Sequence, residues 1–252
     1  MLPARLARHS CCLFSQASCS NFVQQKRDIS ALPALKLYSL RRHLAERLSN
    51  KHNEKRVREV GPDLACLEWL MNCGATKVLM SDSQVITSIR QMKEYLPHAR
   101  NSKEEPTELL SGDLAYEKQW PDAPRVHIVE VDASDSAIAN EGFTYFRDVR
   151  RLKTLKLNFC DFFGDEALRF LAMGRPAQTL EEIEIVLNPC VTDGAVYWLQ
   201  RLKALKRAHF YFLPYVANRQ AFLRQLRIAL PRSNVSFPEV EEVGFGYEEK
   251  KK

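Results

Sequence analysis

Between residues 152 and 199 an eight-position register occurs twice in succession. Leu152, Leu155, Leu157, Cys160, Phe163, Asp165, Leu168 and Leu171 return as Leu180, Ile183, Ile185, Asn188, Val191, Asp193, Val196 and Leu199, each shifted by 28. Val129 and Val131 stand 26 before Leu155 and Leu157, with Phe143 and Phe146 following. Leu205, Ala208, Phe210 and Leu213 come 25 after the matching positions of the second copy. A unit this short cannot bury its apolar face alone. It must stack on its neighbours, so the chain has to build a quasi-one-dimensional core.

The form L-x-x-L-x-L-x-x-(C/N) at spacings of 26, 28 and 25 identifies a leucine-rich repeat. The x-Leu-x-Leu portion reads as a short parallel strand whose alternate residues point inward. The Cys or Asn sits where the chain turns inward and must satisfy backbone groups in a tight space. The apolar residues after the Asp belong to a helix. The expected fold is therefore α/β, a leucine-rich-repeat solenoid of about four repeats over 126–232, with strands on the concave face and helices on the convex face. Degenerate first and last repeats act as end caps. A closing helix is expected over 220–230, ended by Pro231, and a charged tail over 233–252.

Charge divides the chain unevenly. Of 37 Lys+Arg and 31 Asp+Glu in 252 residues, 12 basic and 4 acidic residues fall within 1–60, so the remainder is net −2. The excess belongs to the N-terminal quarter, which argues against a nucleic-acid-binding body. Residues 1–27 hold Arg5, Arg8, Lys26 and Arg27 and no acid, with Leu2, Leu6, Leu13 and Phe14 interleaved. This basic, acid-free amphipathic pattern is that of a mitochondrial presequence. No apolar run approaches the length of a membrane span. Three of the seven cysteines lie in this segment; Cys66, Cys73, Cys160 and Cys190 remain, with no CxxC, and read as buried thiols of a reducing compartment.

Residues 28–76 form a basic helical N-terminal module. One helix is expected over 35–58, with Leu37, Leu40, Leu44 and Leu48 as its stripe and a cationic remainder. Gly61-Pro62-Asp63 opens a second, with Pro62 at a first helical position, Asp63 at the positive helix start and Gly74 as its stop. Residues 77–125, rich in Pro, read as an irregular excursion with one short helix near 85–95.

Catalytic signatures are absent. The sequence lacks GxxxxGK[ST], GxSxG, HExxH and GxGxxG, and its six His residues are scattered singly. Asp132 and Asp135, in DASDS, have the spacing of a turn device. Repeat strands of this kind present a binding array, here His127, Glu130, Lys156, Asn158, Glu184, His209 and Tyr211. Its mixed chemistry suits a protein partner.

The blocks REVGPDLACLEWLMNCGA (58–75) and VDASDS (131–136), followed by the repeats, resemble the mitochondrial ATP synthase subunit s (coupling factor B) family, over roughly 55–232. The assembly factors for the distal membrane arm of respiratory complex I share the repeats and a similar Val-Asp-Ala motif, and match the Gly-Pro-Asp block less well. The resemblance implies a non-enzymatic, monomeric protein, peripheral on the matrix side of the inner membrane. It would bind ATP synthase or, on the alternative reading, complex I subunits, and no nucleic acid. It also implies a magnesium site built from backbone oxygens of Gly74 and Ser134. Arg56, Arg58 and Trp69 are the candidate partner contacts. Family members carry a Cys where this chain has Asn158, which removes a dithiol with Cys160. A different class stays open: Cys-containing repeats also occur in F-box substrate adaptors for ubiquitin ligation.

Overall fold

Side chains alternating in and out of a short strand need a neighbour on each edge, and the repeat supplies one at each period. In the computed structural model, which describes residues 48–101, 113–121 and 123–241, seven strands form one sheet, in which β2 (Val85–Ile86) and β1 (Lys77–Met80) are followed in order by the five described next. β3 (Ile128–Asp132), β4 (Thr154–Lys156), β5 (Glu182–Val186), β6 (Arg207–Tyr211) and β7 (Asn234–Ser236) are parallel and follow in chain order. Their register aligns Val131, Leu155, Ile183, Ala208 and Val235, all buried, in one row across the sheet. The row steps by 24, 28, 25 and 27 residues: the 28 and 25 spacings are those of the sequence, whereas the first strand is shifted by two, because Val131 and not Val129 stands opposite Leu155. The protein is thus mixed α/β with a mostly parallel sheet.

Each crossover carries a short helical segment over the buried face. The first is a 3-10 helix, Asn140–Asp148; then come α-helices Asp165–Met173, Ala195–Leu199 and Arg219–Ala229. Asp165–Met173 packs on the 3-10 helix on one side and on Ala195–Leu199 on the other. The closing helix starts where Asn218 accepts the Ala221 N–H through its side chain. Asn188 is the internal clamp of the stack. Its amide donates to the Cys160 and Phe163 carbonyls at 2.7 and 3.1 Å, and its oxygen accepts from the Cys190 and Val191 amides at 2.7 and 2.9 Å.

Three local expectations change. The stretch 77–125 carries β1 (Lys77–Met80), β2 (Val85–Ile86) and helices Ile89–Asn101 and Asp113–Gln119. β1 runs antiparallel to both β2 and β3 and seals the sheet edge beside the first repeat, with Val78 opposite Val131. Pro97 is tolerated inside Ile89–Asn101, whose Met92, Tyr95 and Ala99 are buried. At the other end, the start of the segment read as a charged tail continues the fold. Val235 extends the buried row, and Phe237 packs against Phe210 and Phe222 with centroids 6.3 and 5.9 Å away. The helix expected over 35–58 breaks after residue 49; a new one, Glu54–Val60, begins where Asn53 caps the Arg56 amide at 3.1 Å. The presequence and the rest of that basic segment, 1–47, lie outside the described residues.

Candidate functional site: the N-terminal module and the sheet face

Pro62 and Asp63 start the helix Pro62–Asn72 directly after Gly61, which both ends Glu54–Val60 and begins the next helix at φ +88°. That sharp junction sends Asp63 inward. Its Oδ1 accepts the Ile128 amide at 3.0 Å, its Oδ2 accepts the Tyr116 hydroxyl at 3.0 Å, and the Arg150 amide approaches both oxygens at 3.3 Å. One carboxylate thereby ties this helix to the start of β3, to Asp113–Gln119 and to the loop before β4. Burial pushes its pKa up to about 6, against the opposing pull of these donors and the Arg150 charge. The sequence reading placed Asp63 at a helix start for its dipole; its larger role is this buried junction.

Trp69 corrects an expectation. It was a candidate partner contact, but it is 3% exposed. The helix turns it onto Tyr145, stacked at 5.4 Å and 14°, with Phe146 edge-on at 5.3 Å, while Nε1 donates to Asn50 Oδ1 at 3.2 Å. Asn50, itself buried, also accepts the Ala139 amide at 2.8 Å and donates to the Ala137 carbonyl at 2.9 Å. A ring of this size is shielded because the 3-10 helix of the first repeat lies over it.

Arg56 and Arg58 remain near solvent. Arg56 pairs with both carboxylate oxygens of Glu68 and reaches Glu59 at 3.2 Å, and the Glu68 hydrogen bonds raise its pKa further. The Arg58 side chain is 74% exposed beside Glu54. Gly74 and Ser134 stand in adjacent turns, because Lys77 pairs with Asp132 and the Thr76 amide donates to the Asp132 carbonyl at 2.9 Å. Gly74 has φ +85° and open space where a Cβ would stand. The Ser134 carbonyl accepts the Thr76 hydroxyl at 3.0 Å, and Asp132 Oδ1 accepts the Ser134 amide and hydroxyl at 3.1 and 2.5 Å. The donors are neutral oxygens of the kind a hard cation takes, the Ser134 carbonyl is already used by Thr76, and among the described residues no group of three or more His, Cys, Asp or Glu side chains could hold a metal ion.

The exposed side of the sheet carries charges in cross-strand pairs. Lys77 faces Glu130 at 3.8 Å, Lys156 faces Glu184 at 3.9 Å and Arg207 meets Glu182 at 2.5 Å. His209 Nδ1 lies 2.8 Å from Ser236 Oγ, and Asn158 donates to Glu184 at 2.9 Å. The strand register therefore brings Lys156, Glu184 and His209 together beside a cavity of about 310 Å³, with Tyr211 at the strand end. His127 stands apart, just before β3, its ring nitrogen near the Arg125 carbonyl. The arrangement is a polar surface of charges paired across strands.

The four cysteines divide. Cys66, Cys73 and Cys160 are buried as expected, and burial pushes the Cys73 thiol up to about 12. Cys190 is instead exposed, because its strand-to-helix turn faces outward. Under native conditions a maleimide should label Cys190 well before the other three. Equal labelling of all four by mass spectrometry would contradict this packing.

The chain is 28% identical to the human protein named ATP synthase subunit s, mitochondrial, over 183 residues, which is 72% of this chain and 78% of that relative. The Bos taurus and Rattus norvegicus proteins of the same name match at the same identity and coverage. No family model matches the chain. Relatives from several mammals that share one name at this coverage make the proteins named ATP synthase subunit s, mitochondrial, what this chain is similar to.

Proposed function

We propose that this chain is a non-enzymatic mitochondrial factor that associates with the ATP synthase and supports proton-coupled ATP synthesis. The relatedness to proteins of that name carries the reading. In this reading the repeats are a leucine-rich-repeat solenoid whose sheet face and whose Arg56 and Arg58 side meet the partner. Residues 1–27 address the protein to the matrix, where it sits peripherally on the inner membrane. Among the described residues no helix is long and apolar enough to cross a membrane.

Affinity purification of the tagged full chain from mitochondria is the test, and ATP synthase subunits are the expected recovery. Recovery of complex I subunits alone would replace the reading with distal-arm assembly, and recovery of neither would end both. Fusion of residues 1–35 to a reporter should send it into mitochondria; a cytosolic reporter would favour the ubiquitin-adaptor class.

A magnesium ion at the Gly74 and Ser134 carbonyls belongs to the same proposal. When bound it would tie the two turns together by charge, a structural contribution. Millimolar Mg²⁺ should then shift the amide resonances of 73–76 and 133–136, and unchanged spectra would remove the ion from the account.

A further inference from the structure

One backbone feature recurs after four of the five parallel strands, β3 to β6. Asp135, Phe159, Leu187 and Phe212 all have positive φ, at 56, 58, 55 and 49°. Each lies just beyond a parallel strand, and the turns are joined in series. The Asp135 amide donates to the Asn158 carbonyl, the Phe159 amide to Val186, and the Leu187 amide to Tyr211, at 2.8, 2.8 and 2.9 Å. Gly, Asn and Asp adopt this conformation at least cost, whereas bulky residues there are outliers. Three of these four positions nevertheless hold a large apolar residue, and all three side chains face solvent, at 54, 39 and 50% exposure. Tyr211 and Tyr215 extend the exposed ladder at its last rung. Strained backbone that displays apolar side chains to water points to a use outside the fold.

The charge along this edge is one-sided. The segments that carry the four turns, 132–138, 157–165, 185–194 and 210–218, contain Asp132, Asp135, Asp161, Asp165 and Asp193. They contain no Lys, Arg or His, in a chain with 37 Lys and Arg. Asp165 and Asp193 are engaged with backbone amides of the next turn, and Asp132 with Ser134. Asp135 and Asp161 are exposed beside the ladder. We propose that this turn edge is a docking site for a cationic amphipathic helix of a partner protein. Successive rungs are about 4.8 Å apart, close to the roughly 5.4 Å pitch of an α-helix, so apolar residues one turn apart can seat on Phe159, Leu187 and Phe212 in order. Basic residues flanking that stripe meet Asp135 and Asp161. An anionic membrane surface, by contrast, would be repelled by those acids.

The inference stands apart from the ATP synthase reading, and its test needs no mitochondrial complex. Two synthetic 18-residue amphipathic helices, one of Leu and Lys and one of Leu and Glu at the same positions, are titrated against the full chain by fluorescence anisotropy. The Lys peptide is expected to bind at least tenfold more tightly than the Glu peptide. Phe159→Asn with Phe212→Asn should weaken it at least tenfold and leave the melting temperature no lower than wild type, because Asn suits the left-handed turn. Asp135→Asn with Asp161→Asn should weaken it several-fold and flatten its salt dependence. Equal affinity for the two peptides, or unchanged affinity in the Phe variants, would overturn the proposal. A lower melting temperature in the Phe variants would assign the ladder to the protein's own packing and overturn it likewise. So would binding to phosphatidylserine vesicles through this edge, or a dimer in sedimentation that the Phe variants dissolve.

Discussion

Asp63→Ala should cost about 3–5 kcal/mol of folding stability, a large share of what a domain of this size possesses. The loss is not that of a helix-start charge. Removing the carboxylate strands the Ile128 and Arg150 amides and the Tyr116 hydroxyl in a buried space. It also removes the buried negative charge nearest Arg150, whose side chain is 2% exposed and whose outward partner is Glu117 at 3.3 Å. The Tyr116 ring has cations near it, Arg150 at 5.2 Å and Arg175 at 4.8 Å, so the whole cluster is balanced on one carboxylate. Urea unfolding of wild type and variant measures the change. A difference under about 1 kcal/mol would show that the junction relaxes around the loss.

The same residue gives the protein a pH dependence of definite sign. Its ordinary pKa of 3.8 rises to about 6 in the folded state, so the native protein binds this proton more tightly than the unfolded chain does. The contribution is therefore fully present below about pH 3.8 and declines as pH rises towards 6. At about 1.4 kcal/mol per unit it amounts to roughly 3 kcal/mol across the window. Asp63→Asn cannot titrate and lacks that decline. Its stability deficit relative to wild type should shrink between pH 4 and pH 6, and a constant deficit would mean that folding leaves the Asp63 pKa unshifted.

How much of this could be read beforehand depends on sequence separation. The Leu155–Ile183 pair was legible because a 28-residue shift carries strand, turn and helix together. β7 carried the same signal, since Val235 and Phe237 stand 27 after Ala208 and Phe210, but Pro231 and the charged residues beyond masked it. β1 had no such signal. Lys77–Met80 is four residues long, and its pairing with β3 joins positions 48 to 55 apart through a Pro-rich stretch. The Asp63 junction links residues 53, 65 and 87 positions away, which no local periodicity encodes. The apolar ladder lay in plain view at one offset, directly before Cys160 and Asn188, yet only the backbone angles distinguish Phe159 and Leu187 from ordinary turn residues.

Trp69→Ala is expected to cost a further 3–5 kcal/mol or so when made alone, and the reason bears on how the N-terminal module works. The indole fills the seam between Pro62–Asn72 and the 3-10 helix, with Phe143, Tyr145 and Phe146 around it. Gly142 is Gly because of this ring: a Cβ there would stand 2.4 Å from Trp69 Cζ2 and 2.5 Å from Asn50 Oδ1. Gly142→Ala should thus cost about 1–3 kcal/mol in the wild type and measurably less beside Ala at position 69, which opens room for the methyl group. A double-mutant cycle should give a coupling of at least about 1 kcal/mol, whereas additive losses would mean that the seam adjusts elsewhere. The partner assay then separates core from contact. For the proposed ATP synthase association, a buried ring predicts that Trp69→Ala, assayed well below its melting temperature, retains it within about threefold of wild type, since an interface anchor would cost at least tenfold.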